Sequence, residues 1–195
     1  MMRTVALCLF AMLAMPDALL AQGDEGKPSP SPSSKRPESQ SPVGQLRAIG
    51  RVYVGERAPD FELPSSRGRS VVLSKMRGDW VLLNFAADRR RFSELRSIRE
   101  PLAELGVVML GLCRDQPQTL RAFAQRDSIP FELLADPTGE ISALYGLYDF
   151  VRTTTLPGFV VLDRNGVVRL GLMGQALPAE QVAELVRFTI TSLYP

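Results

Sequence analysis

Histidine is missing altogether from the 195-residue sequence. That removes the commonest general base and the commonest metal ligand together. Cysteine is almost missing too, with only Cys8 and Cys113. Charge of one sign is lacking as well: the formal net charge is +2. Bulk electrostatics therefore point to neither nucleic acid nor an acidic membrane surface. No apolar run reaches the roughly 20 residues that a membrane-spanning helix needs. No segment repeats, and no residue pattern calls for a cofactor or a metal. What remains is the composition of a soluble globular chain, 45% hydrophobic and 23% charged, long enough for one domain with a real core.

The first residues read as an export signal, with Arg3 ahead of the apolar run Thr4–Ala14 and a cleavage site after Ala21. Residues 1–21 are therefore expected to be a signal peptide. The expected location is periplasmic, at the cell envelope or secreted, with membrane contact only if the signal stays uncleaved. Cys8 falls inside the apolar run and is given no function. Once the signal is removed, Cys113 is the only thiol left, and a single cysteine forms no internal disulfide. Residues 22–50, opening QGDEGKPSPSPSSKRPESQSP, are rich in Pro, Ser and charge, and read as a disordered linker. Residues 51–195 form the expected domain.

Within that domain, Val81–Phe85, Val107–Leu112 and Phe159–Leu162 are short apolar runs rich in β-branched residues. They suit central strands buried on both faces. Asn165-Gly166 joins the last of them to Val167–Leu170, a strong hairpin signal. Four helical stripes lie between or after the strands. Leu95, Ile98, Leu102 and Leu105 form the first, with a kink expected at Pro101. Leu120, Phe123 and Ala124 form the second, and Ile141, Leu144 and Tyr145 the third. Val182, Leu185, Val186, Ile190 and Leu193 form the last, opened by Pro178. The alternation predicts an α/β fold: a mixed central sheet with helices on both faces.

The stretch Gly55–Leu63 (GERAPDFEL) resembles the opening of the peroxiredoxin, or alkyl hydroperoxide reductase and thiol-specific antioxidant, family. Val71–Ser74, Gly78–Phe85, Val107–Asp115, Phe131–Asp136 and Phe159–Gly166 continue the likeness in order, over roughly residues 52–190. The resemblance implies a thioredoxin-like fold of the peroxiredoxin type. It also implies a peroxidatic cysteine after the first core strand, in a Thr-x-x-Cys setting at a helix start. That alignment puts Asp88 on the threonine and Arg91 on the cysteine. Exported thiol-disulfide oxidoreductases are similar in another way. Phe85-Ala86-Ala87 resembles their lead-in to Cys-x-x-Cys, which puts Arg90 and Ser93 on the two cysteines. Pro157 matches the proline that precedes the hairpin strand in that branch, usually with a cis bond. Peroxiredoxins often carry an arginine there, and Arg152 lies five positions too early to replace it.

Either alignment leaves no thiol at the site, so no catalytic residue is assigned. Asp88, Arg90, Arg91, Ser93 and Pro157 are its degenerate positions. Three cations in a row, Arg89–Arg91, oppose a helix macrodipole at that point. They offer a place for a small anion or an acidic protein partner; the plainer alternative is a solvated loop balanced by Asp88 and Glu94. Cys113, ending a buried strand, reads as a core residue. Three functions stay open: a non-catalytic binding domain, an antioxidant or thiol oxidoreductase using Cys113 or a partner's thiol, and a structural accessory domain tethered at the envelope.

Overall fold

The structure, a computed structural model, describes residues 52–193. The expected signal peptide, Cys8 and the expected linker lie outside the described residues, as do Arg51 and the last two residues of the expected domain.

Three strands contain almost nothing polar, and they make the centre of the sheet. β3 (Trp80–Phe85) is buried at every position, and β4 (Val107–Cys113) at all but one. β8 (Gly158–Leu162) is buried from Phe159 onward. With β5 (Glu132–Ala135) and β9 (Val168–Met173) they form a five-stranded sheet in the order β5-β4-β3-β8-β9. β3 runs parallel to β4, and β4 to β5, whereas β8 is antiparallel to both β3 and β9. The mixed sheet read from the sequence is therefore present, and the Asn165-Gly166 hairpin closes β8 onto β9.

Side chains alternate across the sheet and build two cores. Leu82, Ala86, Met109, Cys113 and Val161 face one way. That face is covered by α1 (Arg91–Glu94), α2 (Arg99–Ala103), α3 (Pro117–Arg126) and α5 (Ala179–Phe188). Val81, Leu83, Phe85, Leu110 and Val160 face the other way. They meet the small ribbon of β1 (Glu62–Pro64) and β2 (Ser70–Val72), and Tyr145, which follows α4 (Glu140–Leu144). The short pair β6 (Tyr148–Asp149) and β7 (Thr154–Thr155) completes the strands of the described residues.

Three helical expectations need correction. The helix through Leu95–Leu105 breaks earlier than Pro101: Leu95–Ile98 is a 3₁₀ turn between α1 and α2. Pro101 sits in the first turn of α2, where a missing N–H costs little. Leu144 and Leu185 face solvent rather than the core. In α4 the buried position is Ser142, whose backbone N–H and hydroxyl both donate to the buried carboxylate of Asp136. In α5 the buried positions are Ala179, Val182, Ala183 and Val186.

Asp163 shows how the hairpin is held. Its carboxylate accepts hydrogen bonds from the backbone amides of Asn165 (2.8 Å) and Val167 (2.9 Å) and from Arg169 (2.8 Å). Burial by itself raises the Asp163 carboxyl, but those donors outweigh it and hold its pKa below the ordinary 3.8. A carboxylate more acidic in the folded than in the unfolded chain stabilises the fold above that value, and the contribution fades as pH falls. Asp163→Asn should therefore cost about 1–2 kcal/mol at pH 7. The loss of stability on acidification below about pH 5 should also be shallower in the variant. Urea titrations of both proteins at several pH values measure this; parallel acid limbs contradict it.

Candidate functional site

The turn that leaves β3 carries the residues singled out in the sequence. It runs Ala86-Ala87-Asp88-Arg89-Arg90 and enters α1 at Arg91. Pro157, immediately before β8, lies across from it. Asp88, Arg90, Arg91, Glu94 and Pro157 line one open hollow of about 420 Å3, floored by Ala86 and Ala176. The fold thus brings together four of the five degenerate positions. Ser93 lies outside that lining and donates its hydroxyl hydrogen bond to Asp127 at 3.0 Å.

The three arginines are not free cations. Arg89 pairs with Asp115 at 2.8 Å. Arg90 donates from Nε to Asp88 at 2.7 Å, and this contact holds the Asp88 carboxyl below its usual range. Arg91 pairs with Glu94 and also donates to the carbonyl of Leu177, tying α1 to the segment before α5. Charge repulsion in this triplet is thus offset locally, and α1 is only four residues long, with little dipole to oppose. Asp88 and Glu94 were legible as balancing acids. Asp115 was not, because it arrives from the far end of β4.

Behind the hollow lies a residue that sequence reasoning missed. Asn84 is 4% exposed and alternates with Leu82 and Ala86 onto the helix-covered face. Its Nδ2 finds no hydrogen-bond partner, the only buried side-chain nitrogen or oxygen among the described residues left so. A buried amide donor without an acceptor costs about 1–3 kcal/mol. Asn84 lines a narrow recess together with Arg91, Leu95, Pro157, Phe159, Leu177 and Val182. Arg91 and Pro157 belong to both this recess and the outer hollow. The available signal was a single polar residue inside an otherwise apolar strand.

Two expectations about sulfur and proline are settled by geometry. Cys113 is 1% exposed, and its Sγ approaches Asp115 Oδ2 at 3.5 Å. Burial pushes its thiol up from 9.0 to about 12; the Asp115 backbone amide opposes this by its hydrogen bond, the Asp115 carboxylate adds to it, and Arg89 opposes least. It is the core residue expected from its place on the strand. Pro157, by contrast, does not have the cis bond usual at its position: every peptide bond among the described residues is trans. Arg152 lies in the exposed turn between β6 and β7, where it pairs with Asp149 at 3.4 Å.

Comparison with known proteins agrees with this architecture. A chloroplastic peroxiredoxin Q from Sedum lineare is 31% identical over 159 residues, covering 76% of this chain and 85% of that protein. A peroxiredoxin 2 from Thermoplasma acidophilum is 30% identical over 154 residues, covering 69% and 73%. Among solved structures, Enterococcus faecalis AhpC superposes with a TM-score of 0.66 at 16% identity, over 71% of this chain and 93% of that one. The peroxidoxin BcpB from Mycobacterium tuberculosis gives 0.65 at 21% identity, over 74% and 100%. The fold is thus the thioredoxin-like, peroxiredoxin-type α/β fold. Residues 54–170 match the AhpC/TSA family, and this chain belongs to that family.

Proposed function

We propose that this chain is a family member without thiol chemistry, working as a binding or accessory domain at the degenerate site. One observation carries the reading: the β3–α1 turn offers guanidinium, carboxylate and hydroxyl groups but no sulfur, and the one thiol in the domain is buried with a high pKa. A thiol that stays protonated is a poor nucleophile. An acidic partner or anion at the Arg89–Arg91 turn would recruit Arg90 first, because its side chain is 83% exposed while its pairing acid is also at the surface. The sequence of residues 1–21 supports work outside the cytoplasm.

Peroxide consumption with a dithiol donor, measured for the native chain and for Cys113→Ser, tests the central claim. Both should equal the buffer background. A rate that depends on Cys113 overturns the reading and restores the family's antioxidant role. Arg90→Glu should remove captured partners without changing the fold, and an unchanged partner set counts against this turn. Arg91 is the wrong residue to reverse, because its loss also frees the segment around Leu177.

A further inference from the structure

Two of the cations that form no ion pair among the described residues share one hollow, and it has no lining residue in common with the hollow at the degenerate site. Arg67 and Arg121 have no carboxylate partner among the described residues. Arg67 makes no side-chain hydrogen bond there, and Arg121 makes one, from Nε to the carbonyl of Ser66 at 3.3 Å. Both line one hollow of about 570 Å3 between the β1–β2 turn and α3. Among the described residues, no acidic one lines it. The remaining lining is Gln125, Ser66, Gly68 and an apolar group of Ala124, Ile129 and Phe131. Glu132, an acid whose ionisation Arg67 also favours, is already committed: Arg69 grips it in a fork at 3.0 and 2.6 Å.

The turn is shaped to hold these groups in place. Gly68 has φ +80°, and a Cβ there would fall 2.5 Å from Arg121 Nη2. The guanidinium thus rests against the bare face of Gly68, whose positive φ is what favours glycine there. Gly68 N–H is engaged by Ser65, and Arg67 N–H by the Ser65 hydroxyl, so the backbone of the turn is fixed while the guanidinium groups keep their N–H donors. Two planar forks without an ion pair among the described residues match the oxygens of a phosphate, sulfonate or carboxylate. Half-buried Ala124, with the edges of Ile129 and Phe131 behind it, gives the hollow an apolar side for the body of a ligand.

We propose that this hollow binds a small organic anion, an anionic oxygen group carried on an apolar body, with Arg67 and Arg121 holding the head. The site is independent of the β3–α1 turn and of any chemistry there.

The test is a titration of the full chain with phenyl phosphate, followed by amide NMR shifts of Gly68 and Gln125. Saturable shifts at both residues are expected. Inorganic phosphate should bind more weakly, for want of the body, and benzyl alcohol should not shift them. Arg67→Ala combined with Arg121→Ala should weaken binding about tenfold or more while the melting temperature stays close to the parent's. Should the double variant be poorly folded, Arg67→Gln alone gives the same readout, because the Arg67 side chain makes no hydrogen bond or ion pair among the described residues and Glu132 keeps its fork with Arg69. Non-saturating shifts, unchanged affinity in the variants, or the same response to sodium chloride at equal ionic strength would overturn the proposal.

Discussion

Cys113 in the folded protein will react with a small thiol reagent at least tenfold more slowly than an ordinary cysteine, because it is buried and its pKa is raised from 9.0 to about 12. The thiolate is the reacting species, and three powers of ten in acidity are three powers of ten in thiolate at neutral pH. Burial at 1% exposure slows access further. The cause is physical rather than incidental. Cys113 ends a strand whose inward face is apolar, and the charge closest to hand is Asp115, which is negative. Arg89 could favour the thiolate, but it spends its charge on Asp115. A Cys8→Ser chain isolates the signal, since Cys113 is then the only thiol. Labelling should be slow in buffer, rise steadily with pH through the alkaline range, and become fast in denaturant. Rapid labelling that levels off below pH 8 would mean a thiolate is present in the fold, and the redox account would return.

How much of this was legible in advance depends on the range of each interaction. β3, β4 and β8 announced themselves because a strand buried on both faces has no room for polar side chains, so the pattern is local. The β8–β9 hairpin was legible for the same reason: Asn165-Gly166 writes its own turn. The 3₁₀ stretch at Leu95–Ile98 was not, because its residues keep helical spacing while the backbone tightens. Leu144 and Leu185 misled because apolar character does not by itself put a side chain inside. At the site, the missing sulfur could be read directly. The pairing of Arg89 could not, since Asp115 lies 26 positions away and meets it only when β3 and β4 align in parallel. Asn84 was hidden by the very run that revealed its strand.

Gly158→Ala should destabilise the protein by about 3 kcal/mol, at the top of the usual range for overpacking. Gly158 follows Pro157 and begins β8, where it pairs with Met173 of β9. A Cβ at this position would stand 2.4 Å from the carbonyl oxygen of Leu172 and 2.8 Å from Leu147 Cδ2. The first contact decides the outcome. Leu147 can rotate, but the Leu172 carbonyl belongs to the backbone of the paired strand, so β8 and β9 must separate where the hairpin opens beside Pro157. The glycine has no positive φ, so its backbone conformation is open to alanine and the penalty is purely steric. Gly171, on β9, supplies the control: a Cβ there meets nothing within 4 Å. Gly171→Ala should therefore be neutral, or stabilising by about 0.4–1 kcal/mol through the lower entropy of the unfolded chain. Urea unfolding of the two variants separates close approach from general intolerance of side chains at this sheet edge. Equal costs at both positions would mean that the β8–β9 contact is looser than the geometry requires. The Pro157 wall of the recess beside Asn84 would then lack the rigid backing that the fold gives it.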